Sequence, residues 1–164
     1  MQAAAEGVGR RESEVVEAVR RARDSEPVAG AVRAARYWRE VPAGIQAPGG
    51  AILEGFIDLL VEDGDGLRVV DYKTDQVALK EVDERFAGYR LQGAAYALLA
   101  AGVTGRPVTR VDFVFTDSGE VRSLAGAELA VQVAEIRTRL ERAPGEQPSG
   151  GGDDQLRLPG LNGS

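Results

Sequence analysis

The sequence predicts one mixed α/β (α+β) domain, with a mixed central sheet flanked by helices. Helical and strand periods follow one another as helix, helix, strand, strand, helix, strand, strand, helix, the pattern of a layered fold in which helices cover a sheet. Hydrophobic residues make up 43% of 164 residues, enough for one core in a chain of single-domain length. Charges interrupt the apolar stretches throughout, so no run reaches the ~18 residues of a membrane span.

The elements follow in order. Residues 12–24 carry Val15, Val19 and Ala22 at helical spacing above a charged face. Ser25 as cap and Pro27 in the first turn start a second helix that runs to about Tyr37. Pro42, Gly44, Pro48, Gly49 and Gly50 then predict a loop around a short edge strand. Residues 51–61 form a strand apolar on both faces, 63–66 a turn, and 67–73 a second strand. Residues 74–88 read as a loop, and 89–101 as a helix closed by Gly102 and Gly105. A strand at 108–116, a turn at 117–119, a short strand at 121–124 and a helix at 127–140 complete the domain. The folded unit is thus expected over 1–142. Residues 143–164, rich in Gly, Pro and Ser, are expected to be a flexible tail.

Composition excludes several chemistries. There is no cysteine, hence no disulfide, thiolate zinc site or iron–sulfur cluster. There is no histidine, so any metal must rest on oxygen ligands, which favours Mg²⁺, Mn²⁺ or Ca²⁺. The net charge of −6 argues against a free-standing nucleic-acid binder, although Arg33, Arg36 and Arg39 make one region locally basic. No phosphate-binding G-x-x-x-x-G-K-[ST] loop occurs. Asp63-Gly64-Asp65-Gly66 opens like a calcium-binding loop, but Leu67 and Thr74 occupy its fifth and twelfth positions. The first residues lack the apolar stretch of a signal peptide, so a cytoplasmic location and no membrane partner are expected.

Three residues form a chemical constellation. Asp71 and Lys73 are two apart on a strand and share a face, about 7 Å apart. Leu67 and Val69 share that face, so the charged pair ends an apolar strip. A hairpin loop of two residues (Gly64-Asp65) or four (63–66) places Asp58 opposite Asp71, with Cβ atoms about 5 Å apart. A loop of three or five would break this register. Singly, each residue reads equally well as a turn former or half of a surface ion pair. Together, the facing carboxylates repel unless a cation lies between them, and an ammonium beside them suits hydrolysis of a phosphodiester. Gln92 and Tyr96 share a helix face with Tyr89 nearby, an amide and phenols fit for phosphate or base contacts or for simple packing on the sheet. Glu54 falls on the face of Asp58 by period two and is a further candidate, though an ordinary solvated Glu is the commoner case.

Gly55-Phe56-Ile57-Asp58, then Val69-Val70-Asp71-Tyr72-Lys73-Thr74-Asp75, then Tyr89-Arg90-Leu91-Gln92 with Tyr96, resemble the G-x-x-D, D-Y-K-T and Q-x-x-x-Y motifs of the RecB/AddA branch of the PD-(D/E)xK nucleases. The likeness covers about residues 36–116, and the D-Y-K-T-D string is its most specific part. It implies a restriction-endonuclease-like core and a Mg²⁺- or Mn²⁺-dependent deoxyribonuclease. It further implies the C-terminal part of a UvrD/RecB-type helicase-nuclease that functions in double-strand break repair and recombination. Asp58 and Asp71 would then be metal ligands with the backbone carbonyl of Tyr72, and Lys73 the catalytic lysine. Gln92 and Tyr96 match the motif on the helix flanking the site. Glu40 resembles a Glu that precedes the first core strand in this family. The implied partners are DNA, the helicase motor domains of the same parent chain and a second helicase-nuclease subunit.

One departure matters. Family members supply an upstream histidine as a further ligand, and this chain has none. It therefore reads as N-terminally incomplete, with weak Mg²⁺ binding and poor cleavage expected of these residues alone. The rival readings are a catalytically inactive, nuclease-like module that binds DNA or a partner subunit, and a stand-alone phage-type exonuclease.

Overall fold

The computed structural model describes residues 2–142 and 156–157. Two helices, α1 (Gln2–Asp24) and α2 (Glu26–Arg33), precede the strands β1 (Tyr37–Gln46), β2 (Ile52–Asp63) and β3 (Gly66–Lys73). A 3₁₀ turn (Leu79–Glu81) leads into α3 (Val82–Thr104), followed by β4 (Val108–Phe115), β5 (Val121–Ala125) and α4 (Gly126–Arg142). The sheet order is β1-β2-β3-β4-β5, antiparallel except for the parallel pair β3–β4 that α3 connects. The mixed sheet flanked by helices is the expected one, and among the described residues no helix is long and apolar enough to cross a membrane.

The sheet buries both faces. On one, Leu53, Ile57, Leu60, Leu67, Val69, Phe113 and Phe115 pack under α3 and α4. On the other, Leu59, Val61, Val70 and Val114 pack beneath Ala31 of α2. A buried polar network underlies α2: Arg68 Nε lies 3.1 Å from Asp112 Oδ2, and Ser123 donates to Asp112 Oδ1 at 2.5 Å. Arg68 also reaches Glu26 on α2 at 3.3 Å, so the guanidinium ties the helix to the sheet.

Four expectations need correction. Helix α2 ends at Arg33, and the stretch expected to be helix and loop is the ten-residue strand β1. Its aromatic start, Tyr37-Trp38, suits a strand, and pairing with β2 from Tyr37↔Val61 to Gln46↔Ile52 outweighs the local turn signals. Pro42 is tolerated because β1 is an edge strand. Helix α3 begins at Val82 rather than 89, because Val82 and Phe86, one turn apart, both bury. Gly105 caps α3 in the left-handed conformation (φ 69°), as expected, whereas Gly102 lies inside the helix. There a Cβ would come within 2.6 Å of Ile45 on β1. Finally, Leu156–Arg157, expected in the flexible tail, form a short strand β6 that pairs with Gly55 and Glu54 of β2. The rest of 143–164 lies outside the described residues.

Strand alternation slips once, at Asp58. Leu53 and Ile57 face α3, yet so does Leu60, while Leu59 and Val61 face α2. Opposite Asp58, Glu40 of β1 has φ 52°, a left-handed conformation uncommon for a non-glycine residue, and drops out of the ladder. The slip brings Asp58 onto the α3 face.

Two glycines of α3 test this packing. A Cβ at Gly93 would sit 2.9 Å from the Phe113 ring, whereas one at Gly88 meets nothing within 4 Å. Gly93→Ala is therefore expected to destabilise the domain by about 1–3 kcal/mol through overpacking. Gly88→Ala should stabilise it by about 0.5–1 kcal/mol through helix propensity. Urea-unfolding midpoints should move in opposite directions; a shift of the same sign in both would contradict the packing of α3 on β4.

Candidate active site

The end of β3 holds the constellation. Leu67, Val69, Asp71 and Lys73 face α3, and Asp71 is 1% and Lys73 7% exposed. Parallel pairing with β4 carries through Asp71↔Phe113 to Lys73↔Phe115, and the Thr116 N–H donates to the Lys73 carbonyl at 2.9 Å. The β2–β3 ladder runs from Asp63↔Gly66 to Leu59↔Val70 around the two-residue loop Gly64-Asp65. Gly64 has φ 59°, which glycine adopts at little cost. The next position of this register sets Asp58 against Asp71. Asp58 Oδ2 accepts the Tyr72 N–H at 2.9 Å.

Lys73 is held from several sides. Its Nζ lies 2.8 Å from Asp71 Oδ2 and donates to Gln92 Oε1 at 2.5 Å. Gln92 Nε2 donates in turn to the Tyr96 hydroxyl at 3.3 Å. The Tyr89 ring lies under the ammonium, 4.1 Å from Nζ to the ring centroid, and stacks on Phe113. The Tyr89 hydroxyl donates to Asp75 Oδ2. Gln92 and Tyr96 are thus where helical spacing puts them. Reasoning from sequence passes over Asp75, although it closes the D-Y-K-T-D string, the most specific signal in the chain.

Burial dominates the electrostatics. It pushes the Asp71 carboxyl up to about 6, against the pull of Lys73, and Asp58 adds to the rise. The Asp58 carboxyl is also raised by burial, opposed by the Tyr72 N–H and Lys73, with Glu40 adding a like charge. Tyr96 is held firmly as a neutral phenol by burial and by the two carboxylates.

Glu40 and Glu54 fare differently. Glu40 is close enough to act on Asp58 electrostatically. Glu54 is exposed and pairs with Gly44 and Arg157. The slip at Asp58 puts it on the opposite face, so the period-two alignment of Glu54 with Asp58 does not hold.

Asp71 fits a cation. Both its oxygens are buried without a hydrogen-bond donor at good geometry, and Oδ2 has the Lys73 ammonium instead. Two facing carboxylates, both raised by burial, are the environment that a hard divalent ion relieves. Among the described residues no group of three or more His, Cys, Asp or Glu is placed to hold a metal. The protein side is thus two carboxylates, a number that suits Mg²⁺, which keeps several waters.

A family model for the PD-(D/E)XK nuclease superfamily matches residues 2–149. The chain belongs to that superfamily. The A subunit of the ATP-dependent helicase/nuclease of Pelotomaculum thermopropionicum is 35% identical over 98 residues, which are 58% of this chain and 8% of that protein. The protein of the same name from Thermoanaerobacter sp. (strain X514) is 38% identical over 56 residues, 34% of this chain and 4% of the relative. The chain therefore spans less than a tenth of the length of the curated relatives it matches. It is a nuclease-superfamily domain of the helicase-nuclease type.

The raised Asp71 carboxyl has a consequence for stability in chelator. A carboxyl whose pKa is higher folded than unfolded binds its proton more tightly in the folded state. Its contribution is full below the ordinary value near 3.8 and is lost as pH rises through about 6. The melting temperature in EDTA should fall across that window, and Asp71→Asn should flatten the fall. An equal slope in both proteins would show that Asp71 is not the buried acid responsible.

Proposed function

We propose that this domain is a divalent-metal-dependent deoxyribonuclease that hydrolyses phosphodiester bonds within a helicase-nuclease of double-strand break repair and recombination. One observation carries the reading: a buried carboxylate with no hydrogen-bond donor, Asp71, facing a second buried carboxylate, with a lysine ammonium 2.8 Å away. Asp58 and Asp71, with the Tyr72 backbone carbonyl, would hold Mg²⁺ or Mn²⁺. When bound, that ion supplies Lewis-acid activation of water and neutralises phosphate charge.

The chain's own residues do the rest. Lys73 presents N–H groups to a non-bridging phosphate oxygen as charge builds there. Gln92 fixes the direction of the ammonium by accepting one of its protons. Tyr96 stays protonated beside the carboxylates and keeps its hydroxyl as a donor. The closed apolar floor of Val69, Phe113 and Phe115 excludes water from beneath the pair, which strengthens these interactions. Glu40, opposite Asp58 on β1, adds to the acidic surroundings. The name of the relatives supports DNA as substrate and a cytoplasmic location. It also supports two kinds of partner: motor domains in the same parent chain, and a second helicase-nuclease subunit.

A second reading has one observation in its favour. With fewer than three metal-ligating side chains grouped among the described residues, the domain would be an inactive nuclease-like module that holds a DNA strand or a partner protein. Metal binding and catalysis separate the two. Lys73→Met is expected to keep Mn²⁺ affinity within about threefold in calorimetry, because lysine is not a ligand, and to abolish cleavage of labelled single-stranded DNA. Asp71→Ala should lower Mn²⁺ affinity by about 10-fold or more and abolish cleavage as well. Absence of saturable Mn²⁺ binding in the parent chain would favour the module, and full activity in the Lys73 variant would refute the role given to that residue.

A further inference from the structure

Lys73 has a support that neither the metal reading nor the motif on α3 requires. The Tyr89 ring faces its ammonium at 4.1 Å, a cation–π distance, and the more distant Phe113 ring lies at 5.6 Å. The ring is itself fixed. It stacks on Phe113 at 5.9 Å with 20° between planes, and rests at 48° against Phe115 at 6.3 Å. At its far end the hydroxyl donates to Asp75, two residues beyond Lys73 on the same chain segment. The phenol therefore spans from α3 to the segment that leaves β3, and the lysine lies under that bridge.

We propose that Asp75 and Tyr89 form a latch that positions the Lys73 ammonium for its role at the phosphate. Asp71 and Gln92 take two of the three ammonium protons, and the ring face takes the third. A phenol bonded to a carboxylate is a better cation–π partner, because the anion pushes electron density into the ring. Burial and Asp75 push the Tyr89 hydroxyl up to about 12, so it remains a donor to Asp75 across the physiological range. The exposed side of the latch is Asp75, while the ring is half-buried. The latch thus closes one side of the lysine and leaves approach to the carboxylates to substrate.

The latch rests on the proposed role of Lys73 for its function but not for its existence, and two measurements keep these apart. In the 164-residue chain, the Lys73 ε-methylene protons lie over an aromatic face and should resonate well upfield of an ordinary lysine. Tyr89→Leu should return them to the ordinary position. Asp75→Ala should move them part of the way, since the ring loses its anchor. Asp75→Asn should restore the parent shift, because an amide oxygen still accepts the hydroxyl. Lys73 signals that are the same in all four proteins would overturn the latch. In Mn²⁺-dependent cleavage, Tyr89→Leu should reduce kcat by about 10- to 100-fold with KM little changed, as expected for misplacement of a group used in the transition state. If Lys73→Met cleaves at the parental rate, the role of the lysine is wrong; if Lys73→Met is inactive while Tyr89→Leu matches the parent, the latch is wrong.

Discussion

The arrangement depends on a carboxylate and an ammonium buried side by side at the end of a strand. Burying two charges is costly, and their mutual attraction repays it only when the remaining lone pairs and protons find partners. Here the lysine finds them in Gln92 and the Tyr89 ring, whereas the aspartate does not. The pair is lopsided: the cation is satisfied and the anion is under-satisfied, with a second carboxyl set against it. That imbalance distinguishes this cluster from the other buried ion pair in the domain, Arg68–Asp112. There Ser123 and Arg110 both reach Asp112, and Glu26 reaches Arg68. One network holds a helix on the sheet; the other leaves an anion looking for charge.

The scaffold holds this imbalance in place. Parallel pairing with β4 and the Thr116 bond to the Lys73 carbonyl pin the end of β3. The tight fit of Gly93 on Phe113 lets α3 approach closely enough for Gln92 and Tyr96 to reach the pair. The left-handed Glu40 and the slip at Asp58 turn that carboxyl toward α3, a local strain of the kind that clusters at functional sites. The sheet needs none of these irregularities to be stable. All of them act at the same point.

Much of the site is legible in the sequence because it rests on local rules. Gly64-Asp65 centres a hairpin, and that alone sets Asp58 against Asp71. Period two puts Asp71 with Lys73, and period 3.6 puts Gln92 with Tyr96. What stays hidden depends on tertiary contact. β1 reads as loop because Pro42 and Gly44 speak locally, while its partner strand speaks only in three dimensions. The start of α3 is masked by Asp83, Glu84 and Arg85 around the buried Val82 and Phe86. Period two assigns Glu54 to the wrong face because a strand slip leaves no mark in an alternating pattern. Arg68 and Asp112 lie on different strands, and nothing in sequence announces that they meet.

The central claim is that the Asp58–Asp71 pair is a divalent-cation site. Mn²⁺ is paramagnetic and broadens the NMR signals of nuclei near it, so substoichiometric Mn²⁺ added to the ¹⁵N-labelled chain reports the site directly. The amide signals of Asp58, Asp71, Tyr72 and Lys73 are expected to vanish first, followed by those of Gln92 and Tyr96, and Mg²⁺ in excess should restore them. Broadening that begins at exposed acidic residues elsewhere, with Asp58 and Asp71 left sharp, would contradict the claim.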